Sequence, residues 1–237
     1  MITTAVDDRV ATLTLSRPGK RNAISADMGH QISRTLDQWD QDETIRAVVL
    51  IGEGAGFCAG LDRDELQSDS EQVRDAIYQS SRSLHRAVGG FGKPIIAAVH
   101  GFAFGSGFDL AVMCDMRVVA HGSSLGHPEA RMGGVAICTP LRRVVGDSWA
   151  RRLCYDGTPI DAETATRIGW AIDAVDPGDL AERADSAARA IAETPVAALR
   201  KAKALFTAEP PLEEWIVAEH DDVFEQGHTI HSAVTSS

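Results

Sequence analysis

Two acidic residues stand where their chemistry would matter. Asp109 falls just after the small-residue segment Gly101-Phe102-Ala103-Phe104-Gly105-Ser106-Gly107, and Glu129 follows 20 residues later in Leu125-Gly126-His127-Pro128-Glu129. Taken singly, Asp109 reads as a first-turn acid favoured by the helix dipole and Glu129 as a surface charge. Taken together they read as a carboxylate pair flanking a substrate, one moving a proton and the other holding water. Spacing does not choose between these. A second small-residue segment, Gly56-Phe57-Cys58-Ala59-Gly60-Leu61-Asp62, has the same character. Both lie shortly after apolar strands, where α/β proteins bind ligands. Peptide N–H groups in such segments favour a carbonyl oxygen that is acquiring negative charge, although glycines also serve turns for backbone geometry alone. His127, beside Glu129, either tunes its acidity or is a structural or solvated histidine.

The elements that must position these groups alternate. Residues 2–6 and 10–15 alternate apolar and polar around Asp7-Asp8-Arg9, the pattern of a hairpin with one covered face. Ser25 can cap a helix carrying Met28, Ile32, Leu36 and Trp39 at three-to-four spacing, and residues 47–51 read as a buried strand. A polar, amphipathic stretch over 62–88 ends at Gly89-Gly90, before a second buried strand over 94–99. The segment 101–107 leads into a helix over 108–114 and a third strand over 116–120. Beyond residue 140 the pattern turns helical, with helices expected near 147–155, 161–168, 178–193, 195–207 and 212–226, and 171–175 as the only late strand. The expectation is an α/β core over 1–175 with a helical region over 176–237 packed on it. Gly105-x-Gly107 lacks the third glycine of a dinucleotide fingerprint.

Length and charge bound the partners. A chain of 237 residues with 44% hydrophobic and 24% charged residues can bury a full core. The net charge of −11 excludes a general nucleic-acid or anionic-membrane surface, since both need a basic footprint. Cys58, Cys114, Cys138 and Cys154 show no C-x-x-C spacing and no histidine partners at zinc intervals, so no metal is expected and reduced thiols are. The N-terminus has no secretory pattern and no stretch is long and apolar enough to span a membrane, so a cytoplasmic protein is expected.

Four ordered motifs carry a resemblance. Arg17-Pro18-Gly19-Lys20-Arg21-Asn22-Ala23, Phe57-Cys58-Ala59-Gly60-Leu61-Asp62, Lys93-Pro94-Ile95-Ile96-Ala97-Ala98-Val99-His100-Gly101 through Cys114-Asp115, and His127-Pro128-Glu129 are similar to successive signatures of the enoyl-CoA hydratase/isomerase (crotonase) superfamily. The likeness runs from about residue 2 to about 175, including Gly157-Thr158-Pro159-Ile160-Asp161-Ala162 and Ile168-Gly169. It implies the crotonase-like (ClpP/crotonase) spiral of ββα repeats, with a helical C-terminal region that makes homotrimers, often paired into hexamers. It also implies an acyl-CoA substrate, with no cofactor besides the coenzyme A that the substrate carries.

Carried over by motif position, the resemblance makes Asp109 and Glu129 catalytic and the backbone N–H groups of Leu61 and Ser106 an oxyanion hole. It assigns substrate or CoA contact to Lys20, Arg21, Ala23, Ala59, Asp62, Phe104 and Ile137. Three departures stand out. Asp109 is one methylene shorter than the glutamate of hydratases, retracting its carboxylate by roughly 1.5 Å, and misplacement on that scale slows chemistry. Ile137 replaces a glycine of the turn after Glu129, which predicts a narrower or drier pocket. The tail His231-Ser232-Ala233-Val234-Thr235-Ser236-Ser237 lacks the basic, aromatic character with which relatives touch a neighbouring subunit's CoA. The expected function is therefore 2-enoyl-CoA hydration through a stabilised enolate. The alternatives are an enoyl- or dienoyl-CoA isomerase, or a non-catalytic acyl-CoA binder. Trp149, Trp170 and Trp215 are expected in the core or a subunit interface.

Overall fold

The computed structural model describes residues 1–207 together with 216, 217, 220 and 221. Most of the helix expected over 212–226, Trp215 and the tail over 231–237 lie outside the described residues. The chain opens as expected with β1 (Ile2–Asp7) and β2 (Val10–Leu15) as an antiparallel hairpin. The α1 helix (Ala26–Gln41) is capped by Ser25, whose Oγ accepts from Met28 N at 3.2 Å, and buries Met28, Ile32 and Leu36.

After β3 (Ala47–Gly52), Asp62 caps the one-turn α2 (Arg63–Leu66), and α3 (Glu71–Gly90) crosses back over α1. Then follow β4 (Ile95–Val99), β5 (Phe102–Phe104), α4 (Ser106–Met113), β6 (Met116–Ala120) and β7 (Ser124–Gly126). A 3₁₀ turn (Pro128–Met132) leads to α5 (Cys138–Asp156), α6 (Ala162–Arg167), β8 (Asp173–Val175), α7 (Leu180–Ala192) and α8 (Val196–Thr207).

The main sheet has the order β1-β2-β3-β4-β6-β8 and is parallel from β2 onward. Its central strands are apolar throughout because both faces are covered. Val48 and Leu50 point into the core shared with α1 and α3, while Ala47 and Val49 point to the other face. That other face is closed by α7 through Leu180, Ala184, Ala188 and Ala192, one residue per turn. The α7 helix is thus the part of the expected helical region over 176–237 that packs directly on the sheet. Asp115, from the Cys114-Asp115 motif, ties the layers: its Oδ2 accepts from Ile95 N at 2.7 Å and pairs with Lys203 at 2.8 Å.

Three local expectations are corrected. Residues 102–104 are not loop but pair with 124–126 as a separate two-stranded parallel sheet, in which Phe102, Ala103 and Phe104 lie opposite Ser124, Leu125 and Gly126. The helix expected near 147–155 starts at Cys138, and Gly146 (φ 73°, ψ 168°) kinks it into two segments. This bend brings Cys138 and Cys154, 16 residues apart, to an Sγ–Sγ distance of 3.6 Å as reduced thiols. The late strand is shorter than 171–175 because the N–H groups of Trp170 and Ala171 both turn back to Ala165 O. Among the described residues, no helix is long and apolar enough to cross a membrane, and no cluster of three or more His, Cys, Asp or Glu is placed to hold a metal ion.

Candidate active site

The two small-residue segments are stitched together by backbone hydrogen bonds. Cys58 N donates to Phe102 O at 3.2 Å and Phe104 N to Cys58 O at 3.0 Å, so the 56–62 segment lies along β5. Gly107 permits this closeness, because a β-carbon there would stand 2.5 Å from Cys58 O. On the other side, Ile24 N donates to Gly60 O and Asp62 N to Ile24 O, both at 2.8 Å. In such a parallel bridge the residue between the two bonded positions turns its own N–H the opposite way, and that residue is Leu61.

Ser106 begins α4, so its N–H is one of the donors a helix leaves unused. Among the described residues neither the Leu61 N–H nor the Ser106 N–H has a hydrogen-bond partner. Gly60 (φ 102°) brings the segments close: a β-carbon on it would stand 3.0 Å from Phe104 O and 3.6 Å from Ser106 N. The backbone thus offers two unused donors at the meeting point of two loops, the local arrangement that polarises a carbonyl.

The acids come from two further elements. Asp109 sits in the first turn of α4, where its N–H bonds Gly105 O at 2.9 Å, and its side chain is buried. Glu129 rides on the 3₁₀ turn after β7 and is half-buried. Two glycines make room for it. A β-carbon on Gly105 would stand 2.9 Å from Glu129 Oε1, and one on Gly134 the same distance from its Cγ. The Glu129 carboxylate therefore lies against the residue preceding the Ser106 N–H.

Between the acids lies His127, which sequence reasoning weighed without assigning it a role. Its Nδ1 is 3.0 Å from Glu129 Oε1, and its Nε2 is 3.2 Å from Asp109 Oδ1, at ion-pair distance without hydrogen-bond alignment. Its side chain is 0% exposed. Phe108 meets the imidazole edge-on at 5.0 Å and stacks on the buried Trp170 at 5.2 Å. Burial alone would lower the imidazole pKa, but the charge of Asp109, then the hydrogen bond and charge of Glu129, outweigh it and raise the value from 6.5 to about 10. The available signal was the residue type itself: a histidine two positions before the acid that the family motif marks.

The residues expected to meet CoA divide into two groups. Lys20, Arg21, Ala23 and Ala59 share one turn, closed by Ala59 N donating to Arg21 O at 3.1 Å. Arg21 (φ 52°) holds its guanidinium 5.9 Å above the Phe102 ring, and Phe102 and Phe104 stack at 6.0 Å. Lys20 is exposed and pairs with Asp64 at 2.7 Å, and the Asp64 carboxylate raises the ammonium's pKa. Asp62 differs from expectation. One carboxylate oxygen pairs with Arg17 at 2.9 Å and the other caps α2 through Asp64 N at 3.1 Å, so Asp62 clamps the 17–23 turn onto the loop. Buried Asn22 completes that clamp by donating to Glu53 O and Gly56 O, both at 2.8 Å. Ile137 is buried at the start of α5. Cys58, within the loop, is fully buried with its Sγ 3.1 Å from Asn22 O, and burial pushes its thiol up to about 12.

Comparison with known proteins agrees with this arrangement. The family model for enoyl-CoA hydratase/isomerase matches residues 6–233. A probable enoyl-CoA hydratase of Bacillus subtilis (strain 168) is 36% identical over 197 residues, covering 81% of this chain and 76% of that protein. A putative enoyl-CoA hydratase of Thermus thermophilus is 34% identical over 206 residues, covering 85% and 81%. Among solved structures, an enoyl-CoA hydratase from Bacillus anthracis superposes with a TM-score of 0.83 at 29% identity, covering 94% of this chain and 89% of that one. With the α/β fold, the paired loops and the ordered motifs, these matches place the chain in the enoyl-CoA hydratase/isomerase family of the crotonase superfamily.

Proposed function

We propose that the chain hydrates a 2-enoyl-CoA through an enolate held at Leu61 N–H and Ser106 N–H. The observation that carries this reading is the seat of Glu129, with Oε1 against Gly105 and hence next to the Ser106 donor. The thioester oxygen takes both peptide N–H bonds, and its negative charge grows as the oxygen of water adds to C3. Glu129 takes the proton of that water and delivers it to C2, so the elements of water are added across the double bond. Asp109 holds the attacking water from the other side. Lys20 and Arg21 supply the local positive charge that the nucleotide end of CoA needs on an acidic chain.

A second reading, double-bond migration in an enoyl-CoA, is favoured by one observation. The Asp109 side chain is only 8% exposed, against 31% for Glu129, so one acid faces the pocket more than the other. Moving a proton from C2 to C4 over one dominant acid needs no water.

Mass spectrometry of trans-2-enoyl-CoA thioesters incubated in deuterated water separates the readings. A product heavier by one water, lost in Asp109→Asn and Glu129→Gln, is the expected result. Deuterium uptake without water selects the isomerase, and binding without either change makes the chain an acyl-CoA binder. The assembly proposed with this function is a homotrimer or a dimer of trimers, with exposed Leu205 and Phe206 of α8 as an apolar contact and light scattering as its test. The proposed compartment is the cytoplasm, consistent with four cysteines that form no disulfide.

A further inference from the structure

Glu129, His127 and Asp109 form a row in which one buried imidazole serves two carboxylates, at 3.0 Å through Nδ1 and 3.2 Å through Nε2. A neutral imidazole has one N–H and one lone pair, so one of the two acids would face a lone pair across about the same distance. An imidazolium presents a donor to each. The ring has no freedom to turn away, since Phe108 backs it edge-on and is itself stacked on Trp170.

The charged groups facing His127 are Asp109 from α4 and Glu129 from its own turn. The next titratable group is His85 of α3, which faces Asp109 and is held neutral by burial, with its pKa lowered to about 4. Each carboxylate uses only one oxygen on His127. Asp109 Oδ2 and Glu129 Oε2 have no partner among the described residues.

We propose that His127 is a positioning residue, a fixed imidazolium that keeps Asp109 and Glu129 both ionised at neutral pH and turns one free oxygen of each toward substrate and water. This rests on the assignment of Asp109 and Glu129 as the acid/base pair. Without the cation, the two carboxylates face each other across the ring with nothing to offset their mutual repulsion.

The test compares His127→Gln with the unmodified protein, using crotonyl-CoA as the probe and reading the pH dependence of kcat/KM. Gln keeps one hydrogen bond and carries no charge. The acidic limb is expected to move up by about one pH unit or more, with KM changed by less than about threefold if the ring does not touch substrate. Superimposable profiles would overturn the proposal. Nitrogen-15 NMR of the unmodified protein decides independently of folding in the variant and of turnover. The His127 ring is expected to stay an imidazolium up to about pH 8, and titration near its ordinary value overturns the inference. An intact imidazolium signature in a protein inactive toward every enoyl-CoA refutes the reaction proposed above and leaves the role of His127 standing.

Discussion

His127 and His85 are the same residue type, both buried, and the fold drives them to opposite charge states. His85, on α3, has no anion in hydrogen-bond reach: its Nδ1 is 2.6 Å from Ser81 O, whose modest pull toward the cation is outweighed by burial and by the His220 ring 4.9 Å away. Burial, then the neighbouring histidine, lowers its pKa from 6.5 to about 4. His127 is just as enclosed, yet two carboxylates raise it to about 10. Burial sets the size of the electrostatic effect and the neighbours set its sign. Two equally buried histidines are therefore told apart by what faces their nitrogens, not by exposure.

The comparison is broken hardest by removing the acids. Glu129→Gln is expected to lower kcat by about 10² to 10⁴-fold in the hydration or α-proton exchange assay, the usual contribution of a positioned acid/base. It also strips one of the two anions that make His127 unlike His85, so the His127 NMR titration should fall toward the ordinary range. Asp109→Asn is expected to cost about 10²-fold in kcat, less than Glu129→Gln because Asp109 stands farther from solvent. Equal turnover in either variant would remove that residue from the mechanism.

Stability measured against pH sharpens the same contrast. His127 has a folded pKa above its unfolded one, so its contribution is fully present below about pH 6.5 and is lost as pH rises toward about 10. The gap in stability between the unmodified protein and His127→Gln should therefore narrow over that window, followed by urea melts. His85 has the reverse sign: the folded state resists its protonation, so stability falls as pH drops from about 6.5 toward 4. His85→Leu should abolish that part of the acid sensitivity. The smallest effect expected is on catalysis by the same variant, with kcat within about twofold of the unmodified enzyme, since His85 donates nothing to the acids that face substrate. A large loss there would mean that the two histidines act as one network.

Much of the main sheet was legible because its strands are apolar on both faces, as in residues 47–51, and because Ser25 announces α1. The paired strands β5 and β7 were not, since three residues inside a glycine-rich run carry no period. Their pairing is dictated by where the 56–62 segment lies, which is a tertiary fact. The place of α7 in the core was hidden because Ala184, Ala188 and Ala192 look unremarkable in a helix until a sheet is set against them.

In the site, Asp109, Glu129, Leu61 and Ser106 could be picked out by motif, and the structure gathers them around Gly60 and Gly105. The bridging by His127 could not be read, because it needs β7 and α4 to converge from 18 residues apart. Asp62 carries a structural duty that the motif did not announce. Motif membership suggested a ligand contact, while both of its oxygens are engaged by Arg17 and the start of α2.

The burial of Cys58 bears on side reactions. In the function proposed above this loop grips a thioester, and a reactive thiol lodged there would be a ready acceptor for acyl transfer, leaving the protein esterified on sulfur and free CoA in solution. With the pKa pushed up to about 12, only about one thiol in 10⁵ is nucleophilic at neutral pH. The loop can thus use a small polarisable side chain for packing against Gly107 while remaining inert to the activated acyl group it holds.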